Sequence, residues 1–207
     1  MDVNYWADTR AHDRHEHNGT VLPVGAVLPE VGGDDPAVHI VFGGGKLLTL
    51  PESLRPVLEL LTGPRHEAEV RAALADADCE QGLFEALIRH RALVLLPARA
   101  TWDAVQALAG VQVRPTCYPV RWSEPEAGIV YIGASQDATD PIPVSTFLAA
   151  ALWETLQGED FPATLTRVVG WEQTADDNVA RIVLWGVVML MDAGLCVLER
   201  VDVAGPT

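Results

Sequence analysis

Apolar and polar positions in the first half of the chain predict one compact supersecondary unit. Two short apolar runs, at residues 38–42 and 47–50, flank three consecutive glycines, a pattern typical of a β-hairpin. Apolar residues then recur at helical spacing in three segments, and Gly63 and Pro64 separate the first segment from the second. The run at residues 93–96 is apolar throughout and predicts a returning strand. We therefore expect a hairpin, three short helices and a closing strand.

The same order of elements recurs in the second half. Residues 129–132 form another apolar run, and residues 154–158 align with residues 59–63 at the end of the first helix. The closing run 93–96 has its counterpart at residues 195–198. Sequence identity is low, but the order of elements and the positions of the helix breakers agree, which favours an internal duplication. Chance similarity of two short helical segments is the alternative.

This repeat predicts an α+β fold of two winged-helix-like modules in tandem, each with a short antiparallel sheet and three helices. Residues 1–36 are expected to form an N-terminal lead-in, and residues 37–98 the first module. Residues 99–207 then hold a linker helix and the second module, with residues 134–143 too polar and proline-rich for the second strand of a hairpin. A long helix over residues 175–193 is apolar nearly all round, so we expect it to be buried between modules or in a homodimer.

The charge of the chain limits its partners. There are 29 acidic and 14 basic residues, the formal net charge is −15, and Lys46 is the only lysine. Proteins that bind duplexes need clustered cations to displace counterions from phosphates, so we expect no nucleic-acid partner. No apolar run approaches the ~20 residues that span a bilayer, and the N-terminus lacks a signal pattern. We therefore expect no membrane partner and a cytoplasmic location.

Candidate catalytic and metal-binding residues are sparse. The three cysteines lie far apart without a paired motif, which favours reduced structural thiols: Cys79, Cys117 and Cys196. A histidine cluster near the N-terminus could bind metal, although a solvated terminal segment is the simpler interpretation: His12, His15 and His17. No acid–base pair or nucleophile constellation stands out. We expect no metal, no cofactor and no catalytic residue, so a non-catalytic binding protein is favoured over an enzyme.

The first unit resembles PqqD-like domains, which are winged-helix recognition elements that bind precursor leader peptides in pathways of ribosomally synthesised, modified peptides. The resemblance lies in residues 50–74 and 87–96, and its core is the pattern Leu-Leu-x-Gly-x-Arg-x-x-x-Glu-Val that starts at Leu60. It extends to the second unit only through the order of elements.

The resemblance implies a binding site, since in that family the leader peptide adds as a strand to a sheet edge and lies against the third helix. Here the implied site comprises an edge strand and a helix face: Lys46, Leu47, Thr49, Phe84, Leu87 and Arg91. A strand from residues 20–36 could instead cover the edge. Arg89, His90 and Arg91 end the third helix, either as C-terminal caps or as a basic anchor for an acidic peptide.

Three functions from different classes follow. The resemblance favours a peptide-binding accessory protein that captures a precursor peptide and presents it to a modifying enzyme in natural-product biosynthesis. A winged-helix transcription regulator is the second, and the acidic charge weighs against it. The third is an enzyme or metalloprotein that uses the N-terminal histidines.

Overall fold

The computed structural model describes residues 19–28, 37–41, 47–77, 82–99, 101–120, 128–154, 159–170 and 177–201. Across these residues, helices combine with small sheets in which every strand pairing is antiparallel, so the predicted α+β class is confirmed. We call the described residues up to 99 the first half and those from 101 onward the second half.

The elements of the first half are, in chain order, β1 (Thr20–Pro23), β2 (Ala26–Leu28), β3 (Ala37–Val41), β4 (Leu47–Pro51), α1 (Arg55–Leu60), β5 (Arg65–His66), α2 (Glu67–Asp76), α3 (Leu83–Arg89) and β6 (Leu93–Leu96). Strand β1 is central in a sheet of order β5-β1-β6, and β2-β3-β4 form a separate meander. The predicted hairpin is confirmed as β3 and β4, with His39 opposite Thr49. The predicted lead-in thus supplies β1 and β2, one strand to each sheet.

Helices of the first half bury one face each. A 3₁₀ turn, Glu52–Leu54, leads into α1. The first turn of α1 contains a proline, which is tolerated there because N–H groups in the first turn have no acceptor within the helix. Buried side chains follow at helical spacing: Val57 and Leu58 in α1, Val70 and Leu74 in α2, Phe84 and Leu87 in α3. Helix α3 ends at Arg89, and residues 78–81 before it lie outside the described part.

The elements of the second half are α4 (Trp102–Val105), β7 (Val111–Pro115), β8 (Tyr118–Pro119), β9 (Ile129–Gly133), β10 (Ile142–Ser145), α5 (Thr146–Glu154), α6 (Phe161–Val169), α7 (Asp177–Asp192) and β11 (Cys196–Arg200). Strand β7 pairs with β11, and β8-β9-β10 form a meander. The expectation of no strand before α5 is wrong, because β10 pairs with β9 and places Pro143 opposite Tyr131. An edge strand accommodates a proline, which has no N–H to donate to the ladder.

The order of elements and their pairing recur between the halves. In both, a first strand pairs with a closing strand, a three-stranded meander follows after two residues, and three helices precede the closing strand. The same backbone hydrogen bond holds the two strands at this connection: the Val24 N–H donates to the Ala92 carbonyl (2.9 Å), and the Thr116 N–H to the Leu195 carbonyl (3.0 Å). The match therefore extends to individual backbone hydrogen bonds.

The turn into the closing strand is built alike in both halves. The residue before each closing strand donates its N–H to the carbonyl five positions earlier, Ala92 to Leu87 (2.9 Å) and Leu195 to Leu190 (2.7 Å). The residue before that has a positive φ, +56° at Arg91 and +69° at Gly194. Arg91 and Gly194 are therefore equivalent positions. Residue 93 then corresponds to residue 196, one position later than in the alignment of residues 93–96 with 195–198.

The two halves share one core. Buried apolar side chains from both halves form a single cluster, and Val24 makes a parallel bridge to Leu198 that links β1 to β11. The Gly25 N–H donates to the Leu198 carbonyl at 2.7 Å. Helix α7 packs on α4, α5, β10 and β11, which agrees with its expected burial on several sides. None of the helices in the described residues is long and apolar enough to cross a membrane.

Candidate functional site

Strand β4 lies at an edge of the first-half meander. Strand β3 pairs with β4 on one side and with β2 on the other, so β2 occupies the far side of the sheet. Beyond β4 the structure describes no further strand. Leu47 and Thr49 therefore lie on an edge strand, as strand addition requires, and Thr49 is exposed. Lys46, which is the remaining residue of the predicted edge, lies outside the described part.

The helix residues of the predicted site do not form one exposed face. Phe84 and Leu87 are only 5% and 4% exposed and pack in the core. The Arg71 guanidinium lies over the Phe84 ring, 4.0 Å from its centroid, and covers it from outside. Arg91 is half-buried in the turn after α3, and its Nη1 donates to the Ala107 carbonyl at 3.1 Å. A peptide would reach Phe84 or Leu87 only if α3 moved.

A pocket of about 290 Å³ lies in the second half, between α7 and the junction of β10 with α5. Its lining is mostly apolar: Gly128, Ser145, Thr146, Phe147, Val179, Ile182 and Val183. Phe147, Val179 and Ile182 are half-buried, so their side chains meet both the core and solvent. The volume is at the lower end of the ~300–1,000 Å³ of small-molecule sites, a size suited to one or two apolar side chains.

Polar groups at this pocket are engaged by the protein itself. The Ser145 hydroxyl accepts a hydrogen bond from the Leu148 N–H at 3.1 Å and caps the first turn of α5. The Thr146 N–H donates to the Gly128 carbonyl at 3.1 Å, which extends the pairing between β9 and β10. The lining therefore presents apolar surface for an apolar group.

The pocket occupies a position that the repeat makes informative. Strand β10 is an edge of its meander, as β4 is, and α7 is the third helix of its half, as α3 is. Helix α7 packs against β10, and the pocket opens between them. The second half thus combines an edge strand, a third helix and an apolar recess. Sequence reasoning missed this recess, and its signal was the apolar surface that extends around α7.

Several of the described arginines form ion pairs with carboxylates near the surface. Arg71 donates to Glu67 and Glu85 at 2.7 and 2.8 Å, and the Arg71 hydrogen bond lowers the pKa of the Glu85 carboxyl. Arg55, Arg114 and Arg167 also pair with nearby carboxylates. By contrast, Arg89 and Arg181 are exposed, and neither contacts a carboxylate in the described ranges.

The described thiols are not activated. Cys117 and Cys196 are both buried, as expected for structural cysteines. Burial raises the pKa of the Cys117 thiol to about 11 and that of Cys196 higher still, so both are protonated at neutral pH. Within the described residues, no three histidine, cysteine or acidic side chains converge on a point. The N-terminal histidines and Cys79 lie outside this part.

No family model, curated protein or solved structure matches this chain. The strand edges, the pocket and the charges of the chain itself are the features that bear on its function.

Proposed function

We propose that this protein is a peptide-binding accessory protein of two winged-helix-like modules in tandem, which captures a precursor peptide by strand addition and presents it to a modifying enzyme. The observation that carries the proposal is the combination of edge strand β10, helix α7 and the apolar pocket between them. An added strand gains affinity from backbone hydrogen bonds, and a pocket beside it selects a side chain.

The second half is the better candidate for the binding site. Its pocket residues Phe147, Val179 and Ile182 are half-buried and accessible, whereas Phe84 and Leu87 of the first half are core residues. A bound segment would pair with β10 and place an apolar side chain against Ile182. Strand β4 offers a second edge.

The chemistry of the site favours binding over catalysis. The pocket is lined by apolar side chains and by two hydroxyl-bearing residues, and its lining contains no titratable side chain. The two described thiols are buried and protonated. These features suit the holding of an apolar side chain and supply no acid, base or nucleophile.

The test is selection of peptides from a phage-displayed library of random linear peptides on the full chain, followed by fluorescence polarisation with an enriched peptide. We expect Ile182→Gln to weaken binding about tenfold or more, because a buried apolar contact is worth ~1.5–3 kcal/mol. Ile88→Gln is the matched control, since Ile88 is a half-buried isoleucine on the third helix of the first half. We expect it to bind as the wild type does.

Strand addition has its own signature. Hydrogen exchange at the Ser145 N–H should slow when the peptide binds, because the register of β10 with β9 turns Pro143 and Ser145 to the open edge and proline has no N–H. Equal loss of affinity in both isoleucine variants, or a bound peptide that leaves exchange in β10 unchanged, would refute the proposed site. Failure to enrich any peptide would refute the function.

A further inference from the structure

The turn that follows α3 concentrates positive charge in an acidic protein. Arg89, His90 and Arg91 are consecutive, and the Arg200 Nη1 of β11 lies 3.4 Å from the His90 carbonyl oxygen. We call these four residues the basic turn. Arg89 and His90 are exposed, while Arg91 and Arg200 are half-buried.

In the described part of the chain, Arg89 and Arg91 lack the carboxylate partner that Arg55, Arg71, Arg114 and Arg167 have. Acidic residues outnumber basic ones by 29 to 14 in this chain. Among the described residues, however, neither Arg89 nor Arg91 contacts a carboxylate. Arg91 instead donates to the backbone carbonyl of Ala107, which uses one of the five N–H groups of its guanidinium. Its other donors have no partner among the described residues.

The backbone of Arg91 supports a role for its side chain. Its φ of +56° lies in the left-handed region, where a side chain is strained and glycine is favoured. Gly194 occupies the equivalent turn with φ +69° and the same hydrogen bond into the closing strand. Capping the helix therefore does not require arginine at this position. A strained backbone conformation that persists is a reason to look for a function of the residue.

We propose that the basic turn docks an acidic segment of a polypeptide partner. Guanidinium groups bind carboxylates through charge-assisted, bidentate hydrogen bonds, and adjacent arginines suit a run of acidic side chains. The net charge of −15 repels an acidic chain at long range, but salt screens that repulsion beyond ~8 Å, and contacts at the basic turn act within that distance. This surface belongs to the α3 end of the first half and does not depend on peptide addition at β10.

The test uses hexaglutamate and the uncharged hexaglutamine as probes, with binding followed by NMR on the ¹⁵N-labelled full chain. We expect hexaglutamate to shift the backbone resonances of residues 89–92 saturably, less so at high salt, and hexaglutamine to leave them unchanged. Arg91→Gly should keep the fold, because Gly194 adopts the same turn, and should weaken hexaglutamate binding about two- to fivefold. Arg89→Gln should have a similar effect.

Arg181→Gln is the matched control. It removes the same charge from another exposed arginine, so it changes the overall field equally but leaves the basic turn intact. Unchanged hexaglutamate affinity in this variant supports a local docking surface, and an equal loss would mean that net charge alone is being measured. Absence of shifts at residues 89–92, or preferential binding of a DNA duplex there, would overturn the proposal. Neither result bears on the peptide selection at β10.

Discussion

The close approach of α7 to α5 at Gly186 gives a sharp test of how the second half is packed. A Cβ placed on Gly186 would lie 2.2 Å from Cδ2 of Leu148, well inside contact distance. Leu148 is fully buried, so its side chain has little room to move away. Replacement of Gly186 by alanine therefore sets the usual helical advantage of alanine against an overlap in the core.

The expected magnitudes follow from these two effects. Alanine is favoured over glycine inside a helix by ~1 kcal/mol, whereas overpacking of a core costs ~1–3 kcal/mol. Gly186→Ala alone should thus destabilise the protein by ~1 kcal/mol. Leu148→Ala alone should cost ~2–5 kcal/mol through lost burial and a cavity. Where Leu148 is already alanine the overlap is gone, and Gly186→Ala should then stabilise by ~1 kcal/mol.

The assay is a double-mutant cycle of urea unfolding, followed by far-UV circular dichroism. We expect a coupling free energy of ~2 kcal/mol between the two positions, within the range found for residues in contact. The four m-values should agree, which would show that the unfolded reference state is unchanged. If Gly186→Ala had the same effect in both backgrounds, the helices would not meet at Gly186, and the described packing of α7 would be refuted.

Other predictions concern a cap, the thiols and a surface ion pair. Asp160 accepts hydrogen bonds from the Ala163 N–H at the start of α6 and from a second N–H outside that helix, so Asp160→Ala should cost ~1–2 kcal/mol in urea unfolding and Asp160→Asn less. Alkylation with iodoacetamide at pH 8, read by peptide mass spectrometry, should spare Cys117 and Cys196 in the folded protein and modify both in urea; rapid labelling of the folded protein would contradict their raised pKa. The hydrogen bond from Arg71 lowers the pKa of Glu85 in the folded state, so its small stabilisation is present above the ordinary pKa and is lost as pH falls through the lowered one. The acid-side fall in melting temperature should therefore be smaller in Arg71→Gln than in the wild type.

The elements that the sequence predicts well are those in which apolar periodicity and breakers agree. The hairpin of β3 and β4, the helix α2 and the strand β6 lie within a residue or two of their expected positions. The Asp160 side chain caps α6, and Gly194, whose φ is positive, follows the end of α7. Each of these depends on local chemistry: a side-chain oxygen near free N–H groups, or a position where only glycine is unstrained.

The sequence misled where tertiary context decides. Strand β10 contains Pro143 and follows a polar segment, so local propensity predicted no strand there. In the structure, pairing with β9 stabilises the strand. The resemblance, and not periodicity, assigned Phe84 and Leu87 to a peptide-binding face of α3, and in the structure both side chains are buried. The pocket beside α7 depends on how two helices and a strand end meet in space, which no local pattern encodes.

The repeat makes the differences between the halves more informative than either half alone. Both halves keep the pairing of first and closing strands, and the bridge between Val24 and Leu198 joins the two strand pairs at one core. What differs lies outside that shared framework. The first half has an arginine where the second has Gly194, and the second has an apolar pocket between its edge strand and its third helix. Features that the shared framework does not require are candidates for binding, which is why we propose the acidic segment at Arg91 and the added strand at β10.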